Sequence, residues 1–358
     1  MPPRNHKDWL KQPKVEHISS EIYSSHEIYK QEQELIFSKV WIPMCHKSEL
    51  SEAGRFRTTQ IAGQNVIAIN NGDTIKTYLN PGKFNTPAGS MTRVQFLMDE
   101  YTPLHTEVKH GGMVWTTLNS NPTQSVDEWT GGAFDCIADA IDTEEMEVFH
   151  YHKAVIDTNY KLWHDTNSEF YHDFMHYFNR VSGFNDEYFA RKNIPFDNGH
   201  VNVSSFTVNY EEYDGFEDRG ELSFPNLPPN QWYMVDLFPG FNFNLRGSAY
   251  RSDAVTPLGP NTVLIEFRGY GLRKDTEEER QTRIKHHNSI WGPFGRNLHE
   301  DLIGVSGQGT TMREGTESRN ILHGRHENGT IHDEVGMRHY YAEWGRYMDL
   351  NPEMSKAA

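Results

Sequence analysis

Between Val201 and Tyr270 the chain offers four β-favouring runs in close succession: 201–213, 232–238, 241–248 and 262–270. Pro228-Pro229, Pro239-Gly240 and Pro257-Leu-Gly-Pro260 punctuate them. Strands grouped in this way, rather than alternating with helices, predict antiparallel pairing. A further run at 146–156 precedes a segment, 160–178, whose length and spacing predict one helix. A charged helix opens at Thr276, and 335–348 reads as a closing helix. The fold class is therefore α+β, an antiparallel sheet packed on helices.

The first third repeats the β pattern on a smaller scale. Ser24 and Glu27 form a Ser-x-x-Glu capping box ahead of a helix over 28–40. Short β-rich runs then fill 56–79, with Asn71-Gly72 at a hairpin turn, and 113–118 adds a strand. A helix over 126–141 bridges to the second half. This divides the chain into an extension at 1–40, a small antiparallel β unit at 41–145 and a larger unit at 146–358.

Composition removes several function classes. Asp and Glu outnumber Lys and Arg 50 to 34, a formal charge of −16, and no basic patch relieves it; such a surface repels nucleic-acid phosphates and anionic membranes. Two cysteines, Cys45 and Cys136, cannot staple 358 residues and fit a reducing compartment. With no apolar run long enough for a span and no signal-like start, the expectation is a soluble cytoplasmic protein. There is no Gly-x-Ser-x-Gly elbow, and Gly304-Val-Ser-Gly307-Gln-Gly309 lacks the preceding strand and closing lysine of a phosphate loop. Carboxylates are too numerous for paired-carboxylate hydrolysis to be excluded, though nothing points to it.

The sharpest local signal is Glu169-Phe-Tyr-His172-Asp-Phe-Met-His176. On a helix, Glu169, His172 and His176 share one face, and Asp165 falls on the same arc. Two imidazoles one turn apart can hold a divalent first-row metal, with a carboxylate orienting one of them. The alternative is the polar face of an amphipathic helix backed by Phe170, Tyr171, Phe174 and Tyr177. The pairs His150/His152, His286/His287 and His323/His326 read as ordinary core or surface histidines, and the Asn202 and Asn328 glycosylation triplets carry no weight in a cytoplasmic chain.

In order along the chain, Val40-Trp41, Ser48-Glu-Leu50, the 56–79 hairpin, Gly111-Gly112-Met-Val-Trp115, Asn159-Tyr-Lys-Leu162 with the His172/His176 motif, Phe238-Pro239, 257–260 and Asn297-Leu-His-Glu300-Asp301 to Gln308 resemble the Rieske non-heme iron oxygenase α subunits. The resemblance runs from about residue 28. It implies a Rieske-like N-terminal domain and a C-terminal helix-grip (START/SRPBCC-like) domain at 146–358. There His172, His176 and Asp301 would ligate Fe(II), with Glu300 as the less favoured third ligand. Glu169 stands where the family places an acidic residue that bridges subunits in a trimer.

The sequence departs from the family in one respect. A Rieske cluster needs a Cys-x-His and a Cys-x-x-His pair. Gly82 and Phe84 occupy the first pair, and only about 27 residues separate Phe84 from Gly111, too few for the second. No [2Fe–2S] cluster is expected in this chain. The reading is a mononuclear Fe(II) oxygenase that hydroxylates or oxidatively demethylates a small aromatic or apolar molecule. Electrons would come from a separate Rieske-bearing or reductase partner, and a β subunit or a Rieske-bearing α subunit is a further possible companion. Phe170, Phe174, Phe178, Phe184 and Phe241 are candidates for the pocket wall. A noncatalytic partner of a complete oxygenase is the rival reading; it predicts a substituted triad, and all three ligands are present.

Overall fold

A computed structural model describes residues 17–79, 101–216, 219–314, 320–322 and 331–348. Gly82, Phe84, His323, His326 and Asn328 lie outside these residues. After β1 (His17–Ser19), Ser25 rather than Ser24 caps α1 (His26–Glu32), its hydroxyl accepting from the Ile28 amide. The helix expected to reach residue 40 gives way to a π turn, Gln33–Phe37, that buries Ile36 and Phe37. Glu32 at its end is fully buried, and its carboxylate receives Lys161 Nζ at 2.6 Å and Trp344 Nε1 at 2.8 Å. Removing one partner of such a buried pair costs about 3–5 kcal/mol, so this contact holds the extension on the larger unit.

Six strands form the first sheet: β2 (Ile42–His46), β3 (Phe56–Ile61), β4 (Gln64–Asn70), β5 (Ile75–Leu79), β6 (Thr102–Lys109) and β7 (Met113–Thr117), in the antiparallel order β2-β7-β6-β5-β4-β3. At the Asn71-Gly72 turn, Asn71 Oδ1 accepts the Thr74 amide while Gly72 takes φ 103°, a conformation glycine adopts at little cost. The bridge expected as one helix is broken into α2 (Val126–Thr130), a 3-10 turn (Gly131–Phe134) and α3 (Ala138–Ile141). Adjacent Gly131 and Gly132, the first at φ 54°, remove the propensity to continue.

The second sheet has seven antiparallel strands. Along the chain come β8 (Met146–Ile156), α4 (Tyr160–Ser168), α5 (Asp186–Ala190), β9 (Asn193–Phe196), β10 (His200–Thr207), β11 (Gln231–Leu237), β12 (Phe241–Arg246), β13 (Ala249–Gly259) and β14 (Thr262–Leu272). In space their order is β8-β14-β13-β12-β11-β10-β9. Then follow α6 (Glu277–Ile290), α7 (Arg296–Glu314), β15 (Asn320–Leu322), which pairs with β1, and α8 (Val335–Tyr347). β13 escaped the sequence reading because it carries Arg251, Ser252 and Asp253 in the interior; Arg251 and Asp253 neutralise each other at 2.7 Å. The two sheets are joined at Glu49, which takes Arg57 Nε and, from β14, Arg268 Nε, each at 2.8 Å. No described helix is long and apolar enough to cross a membrane.

One close approach positions the chemistry. α7 lies against the turn between β8 and α4: Thr158 Oγ1 donates to Val305 O at 2.9 Å, and Arg313 donates to Asp157 O at 2.9 Å. Gly309 sits at that contact, where a Cβ would fall 2.5 Å from Asp157 O and 2.8 Å from Thr158 Oγ1. Gly307, two positions earlier, faces open space. Hence Gly309→Ala is expected to lower the thermal midpoint despite alanine's better helix propensity. Gly307→Ala should raise it, by up to roughly 1 kcal/mol of stability. Thermal unfolding of both variants checks this; equal effects would mean the approach is not tight.

Candidate metal centre

Asn159 caps α4, its side chain accepting the Lys161 amide at 3.0 Å. The helix ends at Ser168 rather than running on to residue 178. The cause is Glu169: its carboxylate accepts the backbone amides of Tyr171 at 2.7 Å and His172 at 3.2 Å. This local bond competes with helix continuation. Phe170 then adopts φ 56°, uncommon for a bulky residue, and is held there by burial against Trp232 and the Arg191 guanidinium. Tyr171–Phe174 form a 3-10 turn. His172 and His176 are thus brought together by a chain reversal after the helix, not by sharing a helical face with Asp165.

The reversal separates the expected residues into two groups. Asp165 is not part of the cavity: its carboxylate accepts Tyr23 Oη at 2.7 Å and Tyr341 Oη at 3.0 Å, tying the N-terminal segment to α8. His172, His176 and Asp301 converge instead. Asp301 Oδ1 lies 3.0 Å from His176 Nε2 and 3.4 Å from His172 Nε2. On the outer nitrogens, His172 Nδ1 bonds the Glu169 carboxylate, and His176 Nδ1 meets Glu300 Oε2 at 2.9 Å. Glu300 therefore stands behind an imidazole, on the opposite side of the ring from Asp301. Asp173 Oδ1 is also 3.8 Å from His172 Nε2, and His172, Asp173 and His176 present donor atoms within 4.8 Å of one another. Yet the other Asp173 oxygen is engaged by Tyr188 Oη at 2.7 Å and lies 3.7 Å from Arg191.

Two imidazole Nε2 atoms and one carboxylate oxygen facing each other, with each Nδ1 held by a further carboxylate, fit a divalent first-row ion of the two-histidine, one-carboxylate type. Burial opposes charge on both imidazoles. The carboxylates of Glu169 and Asp301 nevertheless raise His172 well above its usual value, and Asp301 raises His176. Burial likewise opposes the charge of Asp301, but the two imidazoles hold it below the usual carboxylate range.

The cavity beside these groups has about 40 Å³ in which the centre of a water can move, room for roughly three waters. Of the five phenylalanines expected in its wall, only Phe170 lines it. Phe241 is in the main core, and Phe174 is 47% exposed. The wall contains residues that sequence reasoning missed, among them Arg191, Arg246, Asn244, Trp232 and Trp291. They come from α5 to α6, and no spacing in the sequence relates them to His172. The other described histidine pairs stay apart from the site: His150 and His152 bond each other, and His286 bonds Ser248.

Comparisons with known proteins agree with this architecture. Residues 143–350 match the family described as "Ring hydroxylating alpha subunit (catalytic domain)". The chain belongs to the Rieske-type ring-hydroxylating oxygenase α subunits, and it is an oxygenase. It is 55% identical, over 405 aligned positions covering 99% of this chain and 98% of the relative, to the methanesulfonate monooxygenase hydroxylase subunit alpha of Methylosulfonomonas methylovora. It is 32% identical, over 93% of each chain, to the 2-aminobenzenesulfonate 2,3-dioxygenase subunit alpha of Alcaligenes sp.. Its fold matches a naphthalene 1,2-dioxygenase from Rhodococcus sp. bound to indole (TM-score 0.75, 15% identity, 98% of this chain and 99% of that one). A quaternary ammonium Rieske monooxygenase matches at TM-score 0.72, with 15% identity over 95% of this chain and 98% of that one.

The raised imidazoles make a signed prediction for the metal-free protein. A histidine whose pKa is raised on folding contributes stability that is complete below its unfolded value near 6.5 and is lost as pH rises through the folded value. Metal-free wild type should therefore lose thermal stability progressively above about pH 6.5, and His172→Asn should flatten that decline. Unfolding midpoints between pH 6 and 9 in chelator check it; parallel curves for the two proteins would refute it.

Proposed function

We propose that this chain is the catalytic subunit of a mononuclear non-heme iron oxygenase that oxidises a small organic sulfonate. The observation that carries the reading is the convergence of His172 Nε2 and His176 Nε2 on Asp301 Oδ1, with Glu169 and Glu300 on the outer nitrogens. His172, His176 and Asp301 would hold Fe(II), which when bound supplies the redox chemistry. Each outer carboxylate keeps the proton of its imidazole on Nδ1, so that Nε2 presents a lone pair to the metal. Glu169 also shapes the turn that carries His172. Phe170, Trp232 and Trp291 exclude bulk water from the substrate's place, and the fixed walls orient it. The sulfonate class is supported by two relatives, which align with 99% and 93% of this chain and are named for methanesulfonate and 2-aminobenzenesulfonate. A cavity this small suits the former size, and a sulfonate replaces the aromatic or apolar molecule expected from sequence.

In the same reading the chain carries no [2Fe–2S] cluster, and electrons reach the iron from a separate Rieske-bearing or reductase protein. Cluster ligation needs two thiolates, and the only two cysteines of the sequence are ill suited. Cys45 is fully buried in β2, and burial pushes its thiol up; Cys136 donates to Ala133 O, and burial pushes it to about 12. The 405 positions aligned with the methanesulfonate relative exceed this chain's 358 residues by 47, so that relative has at least that many residues without a counterpart here.

Metal analysis of anaerobically purified protein tests both parts. About one iron per chain with no acid-labile sulfide is expected; about two sulfides per chain would overturn the cluster-free reading, and failure to take up Fe(II) would overturn the metal site. His172→Ala, His176→Ala and Asp301→Ala should abolish iron uptake in folded protein. Glu300→Gln should retain iron with roughly 10–100-fold weaker affinity, which separates a ligand from an orienting carboxylate.

A further inference from the structure

Arg246 enters the cavity from the end of β12 and is 7% exposed. Its side chain makes no hydrogen bond and no ion pair among the described residues; its Nε is buried without an acceptor, the rings of Phe178 and Trp291 lie at 5.3 Å and 5.2 Å, and Asp173, Asp301 and Arg251 act on it only through space. A guanidinium taken out of water without a counter-ion is costly. The other charges on the cavity wall are accounted for: Asp301 faces the two imidazoles, and Asp173 lies 3.7 Å from Arg191. Arg246 is the charge left over.

Arg191 decides which sign of ligand the cavity takes. Its guanidinium is 4.1 Å from the Tyr188 ring, 4.4 Å from Phe206, 4.6 Å from Trp232 and 4.9 Å from Phe170. Such an aromatic cage ordinarily receives a quaternary ammonium. Here the protein's own cation fills it, and Tyr188 O holds Arg191 Nε at 3.1 Å. A cationic ligand would find the cage occupied and Arg246 repelling it; an anion would find Arg246 unpaired.

We infer that Arg246 is the anchor for the sulfonate of the substrate, gripping two of its oxygens with the guanidinium fork. The inference rests on the oxygenase reading for the identity of the anion. The fork matches a tetrahedral oxyanion in two-point geometry, which a lysine cannot reproduce. The small cavity then leaves the carbon end of a short sulfonate facing the triad side of the wall. A neutral sulfone of the same shape lacks the charge and loses the anchor.

Calorimetric titration of the full chain, before and after anaerobic Fe(II) loading, tests this with methanesulfonate, dimethyl sulfone and tetramethylammonium as probes. Wild type should bind methanesulfonate and neither of the other two. Arg246→Gln should bind methanesulfonate at least ~30-fold more weakly at unchanged iron content, and Arg246→Lys should recover only part of the loss. Equal binding of sulfonate and sulfone by wild type, no sulfonate binding at all, or an Arg246→Gln variant that binds like wild type would each overturn the assignment. The wild-type comparison stands even if the variants fail to fold. Loss of the metal site alone shows differently: iron would be absent while methanesulfonate still distinguished wild type from Arg246→Gln.

Discussion

Asp301 reaches the two imidazoles because α7 lies directly on the turn between β8 and α4, and it can lie there because residue 309 has no side chain. At that point the backbone of one element occupies space that any Cβ would need. The contact is reinforced by Thr158 and Arg313, which donate to carbonyls across it. Everything chemical depends on this registration. α4 supplies the turn that carries His172 and His176, α7 supplies Glu300 and Asp301, and the two arrive from positions more than a hundred residues apart.

The centre that results is an alternation of charges. Carboxylates lie on both sides of each imidazole: Glu169 and Asp301 around His172, Glu300 and Asp301 around His176. The shared carboxylate is the inner one. In the proposed metal site the same Asp301 oxygen and the same two Nε2 atoms would be offered together, while the outer carboxylates keep the rings oriented. Beyond the centre, Arg191 and Arg246 give one wall of the cavity positive charge, and aromatic rings fill the space between them.

Much of this was legible in the linear chain. The succession of strands and turns after residue 200 predicts the antiparallel sheet, and the helix starts at Tyr160 and Thr276 follow from length, spacing and the charged run after Thr276, while the capping box read at Ser24 fell one residue before the true cap. His172 and His176 stand out by spacing, and Asp301 by the likeness of its surroundings to a known family. The failures have physical causes. Helical periodicity extended α4 too far, because the pattern does not reveal that Glu169 prefers the amides of the next turn; the same error placed Asp165 beside the imidazoles. β13 was missed because Arg251 and Asp253 look like surface residues until each is seen to neutralise the other.

By itself the sequence determined what depends on local chemistry: where strands turn, where helices open to within a residue, and which residue types could bind a metal. Tertiary structure alone decided which carboxylate faces the imidazoles and which stands behind them, since Glu300 and Asp301 are neighbours in the chain and differ only in the direction α7 presents them. It alone also brought Arg191 and Arg246 to the cavity wall. An arginine's charge is a property of its residue type, but whether that charge is left unpaired depends on what the fold packs around it.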